Sequence, residues 1–504
     1  MNRREFLHRG VAGGVGLLGT GGPAVAQAYP FTLGVASGDP TPDSVVIWTR
    51  LAPDPLNGGG MPPLPVLVHW RVALDAQLTR VVTYGWTIAW PGLAHAVHVD
   101  VRGLSPDRWY YYQFIAGAME SPVGRTRTLP ARGAPVDRFR FGVVSCQNWQ
   151  TGFYSAYRNL AREDLDLVVH LGDYIYESGP RPGPRQHNGP EVQSLSDYRN
   201  RYALYKTDPH LQAAHAAFPF FAVPDDHEVD NNYAGAVSED EPDVAAFLAR
   251  RAAAYRAYYE HMPLRISSFP IGPWIRLYRR IAIGDLLQVN ALDTRQFRSD
   301  QPCGGGLKFP CAGQLDPAQT MTGEAQEAWL LDQLDRSTAR WNVIAQQTMF
   351  ARFDFLAGPG QLFNMDQWDG YVAARQRITD FLQARRPGNP VVLTGDIHSS
   401  WVHDLKADFA NPSSATVGTE FVGPSITSEF VPIGIPLVLA ALADNPHTKF
   451  FDGLFRGYLR CTVDHDAWTT DVRAVPTILT DEADAFTLAS FVVADGQPGA
   501  VRVT

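Results

Sequence analysis

The chain has 504 residues, 45% of them hydrophobic and 19% charged, with a formal charge of −9. That length exceeds one ordinary core, so two domains are expected. An acidic balance with no concentration of basic residues excludes a nucleic-acid-binding scaffold, and no stretch approaches the roughly 20 apolar residues that span a bilayer.

The N-terminus reads as an address. Asn2-Arg3-Arg4-Glu5-Phe6-Leu7 is a twin-arginine pattern, followed by a weakly apolar segment from Val11 to Leu18 and a small-x-small site at Ala26-Gln27-Ala28. Seven glycines between Gly10 and Gly22 argue against an ordinary first helix. Residues 1–28 are expected to be a signal peptide, cleaved after Ala28. It would bring the protein to the twin-arginine export machinery and so to the periplasm or the medium.

From residue 29 to 132 the pattern is one of short strands. Ser44–Trp48, Val66–Val72, Ala96–Val101 and Trp109–Phe114 are β-rich and bounded by turn residues, which predicts a small β-sandwich. Ala131-Arg132-Gly133-Ala134-Pro135 reads as a linker. Over residues 133–504 strands and helices alternate, as expected of an α/β domain. Phe139–Ser145 is a predicted strand and Tyr154–Leu160 a predicted helix. Further helices are expected near Ala245–Tyr259 and Gly323–Leu334, and strands near Leu286–Leu292 and Asn342–Gln347. The Pro/Gly-rich stretch Ser178–Gly189 reads as a surface insertion.

Of four cysteines, Cys303 and Cys311 flank a glycine-rich loop, and in an exported protein a local disulfide is expected. Cys461 lies in an alternating run and reads as a buried apolar residue. Cys146 ends a predicted strand, in the same context as two Gly-Asp motifs.

Those motifs carry the chemistry. Gly172-Asp173-Tyr174-Ile175-Tyr176 and Gly395-Asp396-Ile397-His398 each follow an apolar run, and Asp225-Asp226-His227-Glu228 lies between them. Donors released from separate strand ends suit a multi-metal hydrolytic site. A single Gly-Asp after a strand can be a plain turn, but three clusters together argue for a site. Cys146, Asp173, Tyr176 and His398 offer thiolate, carboxylate, phenolate and imidazole, a set suited to Fe(III). Asp226, Asn232, Asp396 and Asp225 offer oxygen alone, which favours calcium or magnesium. The plainer reading of Asp230-Asn231-Asn232 is an Asx turn.

With these motifs in order, the chain resembles the PhoD-like alkaline phosphatases, a branch of the calcineurin-like and purple-acid metallophosphatases. The resemblance also covers Leu33–Pro40, Leu292–Gln296, Gln367–Tyr371 and Phe421–Ser428, so it extends over nearly the whole chain after the leader. Relative to the purple-acid pattern, Cys146 takes the first position, Asp226 replaces an asparagine and Asp396 a histidine. The lone-histidine motif has no clear counterpart, although Gln346-Gln347 falls in the right region. The resemblance implies a fibronectin- or immunoglobulin-like β-sandwich before a catalytic domain of two stacked sheets flanked by helices. It implies Fe(III) and calcium as cofactors.

The activity so implied is hydrolysis of phosphate monoesters, and of diesters as a further class, by metal-hydroxide attack on phosphorus. Asp173 would bridge the metals. Arg295 is the candidate cation for the phosphoryl group, against the alternative of an ion pair with Asp293. His227 is the candidate proton donor to the leaving oxygen, or an orienting group. The rival readings are a phosphodiesterase or phospholipase D-type enzyme on the same site, and a non-catalytic phosphate- or glycan-binding protein. A monomer is expected.

Overall fold

The computed structural model describes residues 28–504, so all of the expected signal peptide except Ala28 lies outside the described residues. Two mixed sheets stack face to face. The larger has ten strands, in the order Gln497–Arg502, Phe486–Ala494, Ala467–Val475, Arg456–Asp464, Arg138–Val144, Leu167–His170, Pro219–Ala222, Val35–Gly38, Ser44–Arg50 and Ala96–Arg102. The smaller has seven: Arg279–Ile283, Leu287–Ala291, Trp341–Ala345, Pro390–Thr394, Thr416–Val422, Ser400–Lys406 and Thr448–Asp452.

The facing sides of the sheets share one core. Phe139, Phe141, Val143, Leu167 and Val169 meet Val289, Trp341, Val343, Val391 and Leu393 there. The outer faces are apolar as well, because the central strands are buried on both sides and read as continuous apolar runs. Helices cover them. Ser155–Leu160, Leu195–Lys206, Pro209–Ala217 and Val244–His261 pack on the large sheet. Gly323–Asp335 and Val372–Arg385 pack on the small one. The domain is therefore four layers, helix, sheet, sheet, helix, as α/β patterning with two-sided burial requires.

Apart from one 3-10 turn at Pro91–Leu93, the regular structure of the N-terminal region is β, as its spacing predicts. A five-stranded sheet built on Val66–Ala73, Val81–Ala89 and Trp109–Ala116 packs Val68, Val72, Tyr110, Tyr112 and Phe114 against Val35, Val45, Ile47 and Val97. The second layer of this sandwich is not separate, however. Val35–Gly38 pairs in parallel with Pro219–Ala222, so Val35–Gly38, Ser44–Arg50 and Ala96–Arg102 from the N-terminal side of the expected linker form one edge of the ten-stranded sheet. Strand Ser44–Arg50 is buried on both faces for this reason. Its Trp48 turns away from the sandwich and donates its indole N–H to the Glu260 carbonyl at 2.9 Å.

The central strands run parallel in both sheets: Arg138–Val144, Leu167–His170 and Pro219–Ala222 in one, Leu287–Ala291, Trp341–Ala345, Pro390–Thr394 and Thr416–Val422 in the other. Their C-terminal ends release the loops that carry the candidate donors, the position at which open parallel sheets hold their ligands. No helix among the described residues is long and apolar enough to cross a membrane.

Candidate metal centre

The strands Arg138–Val144, Leu167–His170 and Pro390–Thr394 leave the sheets through left-handed residues. Cys146, Asp173, Asp396 and His398 have φ of 57–58°, and Asn232 has 51°. Aspartate, asparagine and histidine tolerate this conformation, whereas cysteine adopts it at a cost, and such strain concentrates at functional sites. The two motif glycines have a different task. A Cβ on Gly172 would stand 2.4 Å from the Asp225 Cβ, and one on Gly395 would stand 2.8 Å from the Ser145 hydroxyl. Only glycine lets the neighbouring strand-end turns approach this closely.

The turns bring the donors into three groups whose ligand atoms lie within 4.8 Å of one another: Cys146, Asp173 and His398; Asp173, Asp226 and His227; and Asp225, Asp226 and Asp396. Asp173 and Asp226 each belong to two of them, so both sit where the groups meet. The Tyr176 hydroxyl joins the first group, donating to Asp173 Oδ2 at 2.7 Å and lying 3.1 Å from His398 Nε2 and 2.6 Å from the Ser428 hydroxyl. Asn232 adjoins the others, its backbone N–H donating to Asp226 Oδ2 at 2.7 Å.

Electrostatics fit a cation. Burial raises the Cys146 thiol and the Tyr176 phenol well above their ordinary values, with the charge of Asp173 adding to both. Burial also lifts Asp396 to about 6 against the pull of Arg295, and raises Asp225 well above the carboxylate range. Asp226 is held below that range; burial opposes its ionisation, but Arg295, His227 and the Asn232 amide together prevail. Three carboxylate oxygens, Asp173 Oδ1, Asp225 Oδ2 and Asp226 Oδ1, are buried without a hydrogen-bond partner. Buried oxygens of this kind normally have a partner, so a bound cation is the natural one.

Arg295 stands within this cluster, with its side chain 1% exposed. It pairs with Asp225 through Nε, with both Asp366 oxygens at 3.1 Å, with Asp396 at 2.8 Å and with Asp226 at 3.5 Å. Asp293 accepts the Arg295 backbone amide instead of the guanidinium. In this arrangement the guanidinium spends its donors on the carboxylates rather than on open space. His227 is the more accessible group, with its side chain 17% exposed. Its Nδ1 lies 2.7 Å from Glu177 Oε2, and its ring sits 4.0 Å from that of Tyr176. Burial opposes charge on the imidazole, and Glu177, Asp173 and Asp226 outweigh it, so its pKa is raised.

Every nominated residue thus lies at or beside the cluster. Four supporting residues carried no assigned role in the sequence reading. Glu177, next to Tyr176, holds His227. Glu228, inside the third motif, accepts the backbone amides of Asp173, Tyr174 and Asp225 at 2.6–3.0 Å. Asp366 takes Arg295 and Arg298. Gln367 donates to Asp396 Oδ2 at 2.6 Å. Adjacency to a motif was the signal for the two glutamates. Gln346 and Gln347 are fully buried and outside the donor groups; their amides bond Thr394, Trp368, Thr294 and Leu292.

A PhoD-like phosphatase family model matches residues 141–472, and the model of that family's N-terminal domain matches residues 19–130. The chain belongs to the PhoD-like phosphatases. It is a phosphoric ester hydrolase. It is 50% identical over 489 residues to alkaline phosphatase D of Bacillus subtilis (strain 168), an alignment covering 95% of this chain and 83% of that protein. A solved structure of PhoD superposes with a TM-score of 0.91 at 49% identity, covering 95% of this chain and 93% of that one. At this level of similarity the fold and the order of its elements are shared.

Proposed function

We propose that this PhoD-like phosphatase is an exported alkaline phosphatase that hydrolyses phosphate monoesters at a mixed centre of Fe(III) and calcium. The observation that carries the reading is the convergence of the three donor groups around buried carboxylate oxygens that accept no hydrogen bond. Cys146, Asp173, Tyr176 and His398 are the iron side. Asp226, Asn232 and Asp396 are the calcium side, and Asp173 is common to both. Thiolate and phenolate favour ferric iron, while oxygen donors from irregular loops suit calcium. The catalytic part is read as a metallophosphatase domain over residues 133–504, behind an immunoglobulin-like sandwich over residues 29–132 that lends three strands to its sheet.

Bound metals supply an activated water and charge neutralisation for phosphoryl oxygens. The protein's own groups do the rest. Ser428 bonds the Tyr176 oxygen and the Cys146 carbonyl and so positions both of those ligands, while Glu228 accepts the Asp173 amide and fixes that turn. Arg295 holds Asp225 and Asp396 in place and reaches the phosphoryl group only through them, a positioning role in place of the direct contact expected from sequence. His227, held at Nδ1 by Glu177, presents Nε2 to carry a proton to the leaving oxygen.

Metal analysis of protein made in a host competent for twin-arginine export should find iron and calcium, and zinc alone with full activity would refute the assignment. Cys146→Ala should lose iron and activity together. Because a metal contributes several kcal/mol of transition-state stabilisation, the loss is expected to reach about 10³-fold. A stable, active variant would return Cys146 to the core. Comparing p-nitrophenyl phosphate with bis-p-nitrophenyl phosphate separates the monoesterase reading from a diesterase on the same site.

A further inference from the structure

Beside Asn232 the surface opens into a cavity of about 220 Å³, whose lining includes Glu239, Asp300, Gln301, Gly304 and Gly305. It therefore begins at the calcium side of the proposed centre and ends against the loop closed by the Cys303–Cys311 disulfide. Two features of this wall bear on substrate choice. One is charge: neither Glu239 nor Asp300 pairs with a cation among the described residues. Glu239 accepts the side-chain amides of Asn231 and Asn232 at 3.0 and 3.1 Å, and Asp300 accepts the Gln301 N–H at 2.9 Å.

The other feature is conformational. Cys303, Gly304, Gly305 and Gly306 are four consecutive residues with φ between 61° and 80°. Three glycines in sequence have large conformational freedom, and the disulfide removes much of it by closing the loop. The closed loop is also tied to the centre. Gln301 Nε2 donates to the Asn232 carbonyl at 2.6 Å and to Asp366 Oδ1 at 2.9 Å. Met365 donates its N–H to Gly306 at 2.8 Å, and Leu307–Lys308 pairs with Phe363–Asn364, just ahead of Asp366 and Gln367.

We propose that this cavity is the subsite for the alcohol portion of the ester. It takes neutral and cationic hydroxy-compounds, rejects leaving groups that carry a second anion, and has its outer wall held by the Cys303–Cys311 disulfide. The proposal rests on the reading of the neighbouring cluster as the reaction centre. Like-charge contact with Asp300 and Glu239 is what disfavours an anionic leaving group.

The test compares phosphoethanolamine, glycerol 1-phosphate and 3-phosphoglycerate as substrates of the metal-loaded enzyme, its Asp300→Asn variant and its Cys303→Ser/Cys311→Ser double variant. In the parent enzyme kcat/KM for the anionic ester is expected to fall about tenfold below that for the cationic one. Asp300→Asn should narrow that span to about threefold while leaving the neutral ester within about twofold. The double variant should raise KM for all three by about tenfold, with iron and calcium content and kcat retained. Equal kcat/KM for the three esters in the parent enzyme would overturn the charge selection, as would an Asp300→Asn variant with the parent span. Unchanged KM in the double variant, or loss of kcat and metal together, would overturn the wall. Should the double variant fail to fold, Asp300→Asn still decides the subsite. Turnover of none of the three by metal-loaded parent enzyme would instead strike the reading of the centre itself, and the subsite with it.

Discussion

Glu228, beside the large sheet, and Glu420, within the small one, are both fully buried and both hold loop backbone that no strand can reach. Glu228 accepts the amides of Asp173, Tyr174 and Asp225, tying together the turns that follow Leu167–His170 and Pro219–Ala222. Glu420 accepts the amides of Phe350 and Ala351 and the hydroxyl of Thr394, tying the loop after Trp341–Ala345 to the end of Pro390–Thr394. The difference lies in their surroundings. Burial and the charge of Asp173 raise Glu228 to about 8. Burial alone, opposed by its three donors, raises Glu420 to about 7. One glutamate is therefore electrostatically part of the candidate centre, and the other is a brace one layer behind it.

The largest effect is expected at Glu228. Alanine there leaves three buried amides without an acceptor, at about 1–3 kcal/mol each, against a total stability on the order of 5–15 kcal/mol. Glu228→Ala should therefore fail to fold or unfold at far lower denaturant. Glu228→Gln keeps the volume and part of the acceptor capacity. It should fold yet retain metal about 10- to 100-fold more weakly, as for other changes behind a ligand. Denaturant midpoints and metal content by mass spectrometry decide it. A Glu228→Ala protein with parent stability and full metal would remove the distinction between the two glutamates.

A smaller effect is expected at Arg295. Lysine keeps the charge but cannot bridge Asp225, Asp366 and Asp396 at once. Arg295→Lys should lower kcat/KM about 10- to 100-fold, with a loss of stability smaller than that of Glu228→Ala. If KM alone rises while kcat is kept, Arg295 touches substrate after all, and the direct role read from sequence stands in place of the positioning role.

Much of this was legible in the chain because each feature had a local cause. The Gly-Asp motifs follow apolar runs that read as buried strands, and Gly172 and Gly395 are glycines because the turns nearly touch. The strand Val81–Ala89 escaped notice because Gly85 interrupts it. The structure fills that gap with the ring of Trp70, which lies 2.6 Å from where a Cβ would stand. The helix Leu195–Lys206 was equally hidden: seven of its twelve residues are buried, Arg201 and Lys206 among them, so its burial does not follow an apolar stripe that periodicity could detect. The pairing of Val35–Gly38 with Pro219–Ala222 joins residues nearly two hundred apart, and no local pattern encodes such a contact. The same holds for the roles of Asp366 and Gln367, whose motif is visible but whose partners Arg295 and Asp396 lie elsewhere in the chain.

The mildest prediction isolates the brace. In the folded protein the Glu420 carboxyl keeps its proton up to about pH 7, whereas in the unfolded chain it loses it near the ordinary glutamate value of 4.5. Below that value both states are protonated and the contribution to stability is complete. As pH rises towards 7 the unfolded chain releases a proton that the folded one retains, so stability falls and then levels off. A shift of this size corresponds to about 3 kcal/mol. Glutamine at this position carries no titrating proton, so Glu420→Gln should lose that part of the pH dependence. Urea midpoints at pH 5 and pH 8.5 should show the variant gaining on the parent by about that amount at the higher pH, whatever fixed offset the substitution introduces. Parallel changes in the two proteins would mean that Glu420 ionises as a free glutamate does, and burial would then not be what separates it from Glu228.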